Sequence, residues 1–303
     1  MINLKEDHLG QACLVAVVYL AIAVMIVLII EGLSSQNLAG VDGQRFHAMA
    51  EAIISGLAPY VDFVDPKPPL IYFIVTLVDL VAPAGGLDIP LMAGINVLSA
   101  LLIWHLGSEE YGSFAGFTAG AFYLVTSVFV QGYFLFSEQF VVLFLILALL
   151  AVRTKGYWSG GLLVGLAFGF KQYALLGALP LLYLMRVQGS RKYHEFLAPL
   201  LLAAALPFLL IYFFYGSAEA AASLHWTFGI GLAYLSGSAI AEIPNYHPDT
   251  VFAFALNIIA SIAFVLPTLM FAGASVIRRG IRTPFEGTVA GLVIVFAGTL
   301  LIR

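Results

Sequence analysis

The chain has 303 residues, 62% of them hydrophobic and 10% charged, and its mean hydropathy is +1.01. Soluble globular proteins carry about 25% charged residues, so this composition excludes a water-soluble fold. The single cysteine, Cys13, excludes a disulfide framework, whereas the net charge of −4 does not separate one class of membrane protein from another.

Long stretches without a charged residue run through the chain, at 14–30, 196–215 and 251–276. Each approaches or exceeds the ~20 residues that span a hydrocarbon core of ~30 Å, and lipid forces the backbone of such a segment into a helix. The sequence therefore predicts an all-α integral membrane protein, a polytopic bundle of about nine transmembrane helices in one domain, 1–303. The predicted helices lie near 11–31, 89–106, 113–131, 138–152, 158–171, 173–186, 195–215, 250–276 and 285–302.

Between the first two predicted spans lies a long segment, 32–88, with helical patterns of its own. Apolar residues at helical spacing predict an amphipathic helix that lies in the membrane interface and ends near Gly56 and Pro59. The apolar run 68–82, which follows Lys67, is too short for a span and predicts a second interfacial helix. The apolar face of the first helix consists of Phe46, Met49, Ala50, Ile53, Ile54 and Leu57. The opposite, polar face consists of Gln44, Arg45, His47, Glu51 and Ser55.

The distribution of lysine and arginine supports this topology, because basic residues concentrate in the cytoplasmic loops of membrane proteins. With a cytoplasmic N-terminus and a non-spanning 68–82, only Arg45, Lys67 and Lys171 face outward, and Arg303 ends the last helix. We therefore predict a multi-pass cell-membrane protein whose functional site is on the outer face, with 32–88 and a second long outer segment, 216–249. The cytoplasmic basic residues are then Lys5, Arg153, Lys155, Arg186, Arg191, Lys192, Arg278, Arg279 and Arg282.

Two carboxylates on the predicted outer face are candidates for catalysis. Asp42 lies just ahead of the amphipathic helix, and Glu138 opens the predicted helix 138–152 after Ser137. Acidic residues are favoured at helix N-termini, so a capping role stays open for both. A carboxylate at the boundary of water and lipid can also act as a general base towards a hydroxyl.

Two lysines complement these carboxylates. Lys67 precedes Pro68 and Pro69, which fix the backbone and hold the ammonium group at the start of the second interfacial helix, although a snorkelling role stays open. Lys171 lies in apolar sequence between two short predicted helices, where a charge is costly and suggests a functional role by default, although a structural role stays open. Because ammonium groups bind phosphate, we expect Asp42, Glu138 and both lysines to line one outward cavity.

The segment that begins at Asp42 resembles the GT-C superfamily of membrane glycosyltransferases, most closely its protein O-mannosyltransferase and aminoarabinose-transferase branch. Glu138 falls where that family has its second acidic residue, and the glycine-rich stretch 160–171 resembles a family helix that ends in lysine. The resemblance covers about residues 10–190 in the same order. Its remaining motifs are Asp62-Phe63 and Lys67-Pro68-Pro69.

The sequence departs from that family in two places. The acidic pair that is common after the first helix is here Asp42-Gly43, so one acid is missing. The sequence also ends inside its last predicted helix, so we expect either a missing C-terminal part or a minimal version of the fold.

The resemblance implies a polyprenyl-phosphate-linked sugar as donor and a hydroxyl of a lipid, glycan or protein as acceptor. It implies Asp42 as the base and Glu138 as a second catalytic residue. No cofactor is assigned, a divalent metal is left open, and the expected partners include membrane lipids but no nucleic acid. The residues assigned to substrate binding are Lys67, Lys171, Arg45, Tyr60, Asp65 and, from its place in the second outer segment, His225. From loop position alone, we also expect His225 or Tyr234 near the rim of the cavity.

Two other functions remain open from the sequence. Charged residues within membranes also mark transport pathways, so the chain could be a transporter or flippase of a lipid-linked or small anionic solute. The long outer segment 32–88 has no counterpart in the second half, which argues against the internal repeats of many transporters. A non-catalytic scaffold would not need charges gathered on the outer face.

Overall fold

The computed structural model describes residues 4–33, 41–82, 85–128, 132–229 and 280–301. In these ranges the chain is helical, with turns, one isolated bridge between Pro59 and Phe63, and no β-strand. A 3-10 helix spans Gln172–Gly177, and a π-helical turn spans His225–Gly229. The α-helices are α1 (Leu4–Leu33), α2 (Val41–Ile54), α3 (Leu70–Val81), α4 (Asp88–Tyr111), α5 (Ser113–Ser127), α6 (Ser137–Arg153), α7 (Tyr157–Phe168), α8 (Ala178–Val187), α9 (Tyr193–Phe214), α10 (Ser217–Leu224) and α11 (Pro284–Leu301).

Three helices in the described ranges are long and apolar enough to cross a membrane: Gly10–Glu31 within α1, α4 and α9. The first exposes large apolar side chains such as Leu14, which is 65% exposed, as expected of a lipid-facing surface. The all-helical fold is thus confirmed for the described residues, and the three candidate spans indicate a membrane protein. The full count of about nine spans stays a prediction, and the predicted helix 250–276 lies outside these residues.

The amphipathic helix of the first outer segment begins earlier than the pattern predicted. Asp42 lies in the first turn of α2 and not ahead of it. Phe46 is fully buried and packs edge-to-face on Tyr72 of α3, with 6.0 Å between ring centroids. Ile54 and Leu57 remain about half exposed, so only part of the apolar face packs within the protein.

The second short helix, α3, lies within the predicted run 68–82 and is slightly shorter than it. Pro69 occupies its N-cap position, and the helix ends at Val81. Its 12 residues extend about 18 Å at 1.5 Å per residue, well short of a ~30 Å hydrocarbon core. The placement of this helix in the outer interface stays a prediction.

The glycine-rich helix α7 packs against both α6 and α9. A Cβ atom at Gly161 would lie 1.9 Å from the carbonyl oxygen of Phe196, and one at Gly165 would lie 2.3 Å from that of Leu200. Only glycine permits this approach of two helix backbones, as at many helix crossings in membranes. The crossing fixes the end of α7 and therefore the start of the segment that carries Lys171.

The predicted helix 158–171 ends three residues early, at Phe168. The carbonyl of Gly169 accepts a hydrogen bond of 3.0 Å from the amide of Leu70, at the start of α3. Lys171 has extended backbone angles (φ −154°, ψ 136°), and the next segment begins as a 3-10 helix rather than as the α-helix predicted for 173–186. Lys171 thus lies in a link between helices, on the side of α7 that meets α3.

Candidate functional site

Tyr60 shapes the loop that leads from α2 to Lys67. Its φ is +68°, a left-handed conformation that is uncommon for a residue with a side chain. The phenol is buried and donates a 2.5 Å hydrogen bond to the carbonyl oxygen of Lys67. Burial, with a further contribution from Asp65, raises the pKa of Tyr60 well above its ordinary value, so the phenol remains a donor. Tyr60 therefore positions Lys67, and a contact with substrate is less suited to this buried side chain.

Lys67 lies between two carboxylates and an aromatic ring. Its Nζ is 3.2 Å from Oδ2 of Asp42 and 3.9 Å from Oδ1 of Asp65, and it lies 5.0 Å from the ring centre of Phe46. The lysine side chain is 11% exposed and that of Asp42 is 27% exposed. Asp42 is therefore the more accessible partner of a largely buried cation.

Asp65 is the buried counterion of Lys67 and Arg45. Its side chain is 1% exposed, its Oδ1 accepts a 2.9 Å hydrogen bond from the amide of Lys67, and its Oδ2 lies 3.5 Å from a guanidinium nitrogen of Arg45. This burial favours a positioning role over the substrate contact expected from the sequence. Arg45 is 51% exposed and is the most accessible of the three cations in the candidate site.

Glu138 and Lys171 form the second pair of the site. Oε1 of Glu138 lies 2.5 Å from Nζ of Lys171, which also lies 5.6 Å from the ring centre of Tyr173. Glu138 is in the first turn of α6, where Ser137 hydrogen-bonds to its carboxylate at 3.2 Å and makes no cap bond. The lysine is again the buried member, with 9% of its side chain exposed against 25% for the glutamate.

Gln172 joins the two lysine-bearing segments. Its side-chain amide donates to the carbonyl oxygens of Pro66 and, at 2.8 Å, Thr227. With the bond from Leu70 to Gly169, this contact holds the backbone beside Lys67 against the backbone beside Lys171. No sequence pattern singles out Gln172 apart from its position next to a lysine.

The first turn of α2 also lies close to the segment that precedes α6. A Cβ at Gly43 would be 3.4 Å from Cβ of Leu135, three residues before Glu138. The residue after Asp42 thus touches the segment that carries the second carboxylate. The contacts bring together the segments of all four residues predicted for a shared cavity, and the cavity itself stays a prediction.

His225 lies at the edge of this arrangement. Its side chain is exposed and its ring packs edge-to-face with Trp226, with 6.1 Å between centroids. The same turn contacts the site through the carbonyl oxygen of Thr227, which accepts a hydrogen bond from the side-chain amide of Gln172. Tyr234, expected near the rim of the cavity, lies outside the described residues.

The described residues contain no group of three or more His, Cys, Asp or Glu arranged to hold a metal ion, and the question of a divalent metal stays open. The arrangement supplies two ammonium groups and a guanidinium for an anion, and two partly exposed carboxylates for a proton. Comparison with family models, with curated proteins and with solved structures returns no match to this chain.

Proposed function

We propose that this chain is a membrane glycosyltransferase of the GT-C type. It transfers a sugar from a polyprenyl-phosphate donor to a hydroxyl of a lipid, glycan or protein on the outer membrane face. The observation that carries the proposal is the pairing of Lys67 with Asp42 and of Lys171 with Glu138 on segments that hydrogen-bond to each other. The motif resemblance from Asp42 to Lys171 adds support.

The two lysines bind the phosphate of the donor. Each is largely buried, which strengthens its interaction with an anion compared with a solvated lysine. In the free protein each ammonium is neutralised by a carboxylate, and the donor phosphate takes over part of that contact. Arg45, the accessible cation, extends the positive surface towards the donor.

Asp42 then serves as the base. The acceptor oxygen bonds to the anomeric carbon with inversion, the bond from that carbon to the phosphate oxygen breaks, and its electron pair leaves with the phosphate. The hydroxyl proton passes to Asp42, and the lysines stabilise the charge on the leaving phosphate. Glu138 holds Lys171 in place and is a second acidic group near the reaction.

Incubation of the purified chain with a panel of polyprenyl-phosphate sugars tests the proposal, with release of polyprenyl phosphate as the readout. We expect release with at least one donor and an acceptor hydroxyl. If no donor is consumed but vesicles containing the chain move a solute, a transporter or flippase replaces the enzyme.

Asp42→Asn is the sharpest variant for this assay. Asparagine keeps the shape of the side chain and is favoured near a helix start as aspartate is, so folding and donor binding should persist. Turnover should fall by about 10²–10⁴-fold because the base is lost. Glu51→Gln is the matched control, since Glu51 is an exposed carboxylate on the same helix, α2, and the change is again from acid to amide.

Lys67→Ala separates binding from chemistry in the same assay. It should raise the donor concentration needed for half-maximal rate, because it removes a phosphate ligand.

Near-full turnover in Asp42→Asn would leave Asp42 as a helix-start residue and remove its catalytic assignment.

A further inference from the structure

His47 of α2 lies between two buried aspartates that belong to other helices. Its Nδ1 is 2.8 Å and 2.9 Å from the carboxylate oxygens of Asp79 in α3, and its Nε2 is 2.7 Å from Oδ2 of Asp88 at the start of α4. The side chains of the three residues are 15%, 9% and 8% exposed. The sequence placed His47 on the polar face of an interfacial helix and gave it no partner.

The protonation state of the ring follows from this geometry. A neutral imidazole has one N–H, so one of its two contacts would set a lone pair against a carboxylate oxygen. An imidazolium donates to both aspartates. Burial lowers the pKa of His47, but the hydrogen bonds and charges of Asp79 and Asp88 together outweigh it and raise the pKa above its ordinary value of 6.5.

The local backbone is adapted to this contact. Gly85 has φ +79°, and a Cβ there would lie 3.1 Å from Oδ2 of Asp88 and 3.3 Å from Nε2 of His47. Among the described residues, the other oxygen of Asp88, Oδ1, is buried and has no hydrogen-bond partner. In the described part of the chain, His47 is therefore the group that compensates the charge of Asp88.

We propose that His47 is a pH-responsive clamp that holds α2, and with it Asp42 and Arg45, against α3 and α4. Asp42 lies five positions before His47 on the same helix, so release of His47 loosens the helix that presents the carboxylate. His47 is then a positioning residue, and it acts on the reaction through the placement of α2.

The sign of the pH dependence is fixed by the raised pKa. The clamp contributes its full stability below about pH 6.5, the ordinary pKa, and loses it as the pH rises through the higher pKa of the folded state. Among the described residues, Asp79 of α3 and Asp88 of α4 are the titratable groups that face the ring, and Glu51 on α2 is exposed.

Distances between spin labels test the clamp without reference to activity. Labels at Glu51→Cys on α2 and Leu98→Cys on α4 occupy exposed positions, in a Cys13→Ala background and in lipid nanodiscs. We expect a narrow distance distribution at about pH 5.5 that broadens by about pH 9.5, across the titration of His47. In the His47→Phe variant the distance distribution should be broad at every pH. The control is His105→Phe, which alters an exposed histidine paired with Glu109 and should give the same distributions as the parent.

Asp88→Asn provides a milder variant that keeps the shape of the site. It removes one charge that favours the imidazolium, so the pH at which the distance distribution is half broadened should fall by at least about one unit. A distribution that is independent of pH in the parent, or that stays narrow in His47→Phe, overturns the clamp.

The link to turnover rests on the proposed function and is measured separately. Transfer should decline over the same pH range as the distances broaden. If the distances respond but no donor is ever consumed, the clamp stands and the transferase proposal fails. If transfer declines with pH while the distances stay fixed, the clamp is wrong and the transferase proposal stands.

Discussion

Lys67 and Lys171 carry their charges in side chains that are 11% and 9% exposed, which is uncommon for lysine. Removal of water from an ammonium group is costly, and each lysine recovers part of that cost through a carboxylate and an aromatic ring. A buried ion pair adds little net stability relative to apolar residues. Stabilisation of the fold therefore does not account for the pairs, whereas the proposed binding of an anion would.

This argument predicts a difference between single and double variants of the second pair. Lys171→Met leaves the Glu138 carboxylate without its cation and should lower the free energy of unfolding by about 1.5–3 kcal/mol. In the double variant with Glu138→Gln, the free energy of unfolding should return to near the parent value, while donor binding stays impaired. Denaturation in mixed micelles and a donor-binding assay measure the two effects, and donor binding restored in the double variant would contradict the phosphate role of Lys171.

At the scale of secondary-structure elements, the crossing of α7 and α9 decides where Lys171 lies. The end of α7 is held on one side by α9 and on the other by the bond between Gly169 and Leu70 of α3. In the described part of the chain, the start of α3 at Pro69 has no side-chain cap, and at the end of α7 the backbone amide of Gly169 donates to the carbonyl oxygen of Gly165. Packing and backbone contact replace capping at this point.

Gly161→Ala tests that crossing. The added Cβ would lie 1.9 Å from the carbonyl oxygen of Phe196, so α9 must shift, and we expect a loss of about 1–3 kcal/mol, as for other overpacked sites. Gly94→Ala on α4 is the control, because its Cβ meets nothing within 4 Å. Thermal unfolding in detergent measures both variants. Equal stability of the two would mean that the crossing relaxes without cost.

At the scale of the whole molecule, the topology depends on α3. A helix of 12 residues that does not cross keeps Lys67, at its start, on the same side of the membrane as the start of α4. The opposite end of the bundle has its own charged group, in which Arg153 pairs with Glu109 at 2.9 Å and Glu110 at 2.7 Å. The two ends of α4 thus meet separate clusters of charge.

Cysteine labelling tests this topology. Asp62→Cys and Gly86→Cys occupy exposed positions on either side of α3, whereas Asp88 is buried against His47 and would not label. In a Cys13→Ala background, a membrane-impermeant reagent added outside should label both, and should label Lys155→Cys only after permeabilisation. Labelling of only one of the two outer positions would place α3 across the membrane.

The sequence by itself determined the helical membrane class, because so apolar a chain has no other way to satisfy its backbone in lipid. It also located the helix after Pro69 and selected Lys67, Lys171, Asp42 and Glu138, because charges are conspicuous in apolar sequence. Only the tertiary structure decided which of these charges pair.

The roles of the remaining site residues also required the structure. Asp65 and Tyr60 resemble accessible polar residues in the sequence, but packing buries them as internal supports of Lys67. His47 lies 32 positions before Asp79 and 41 positions before Asp88, and no local pattern connects it to them. Their meeting is set by how α2 lies on α3 and by the turn at Gly85, because hydrogen bonds between distant segments depend on helix packing rather than on local periodicity.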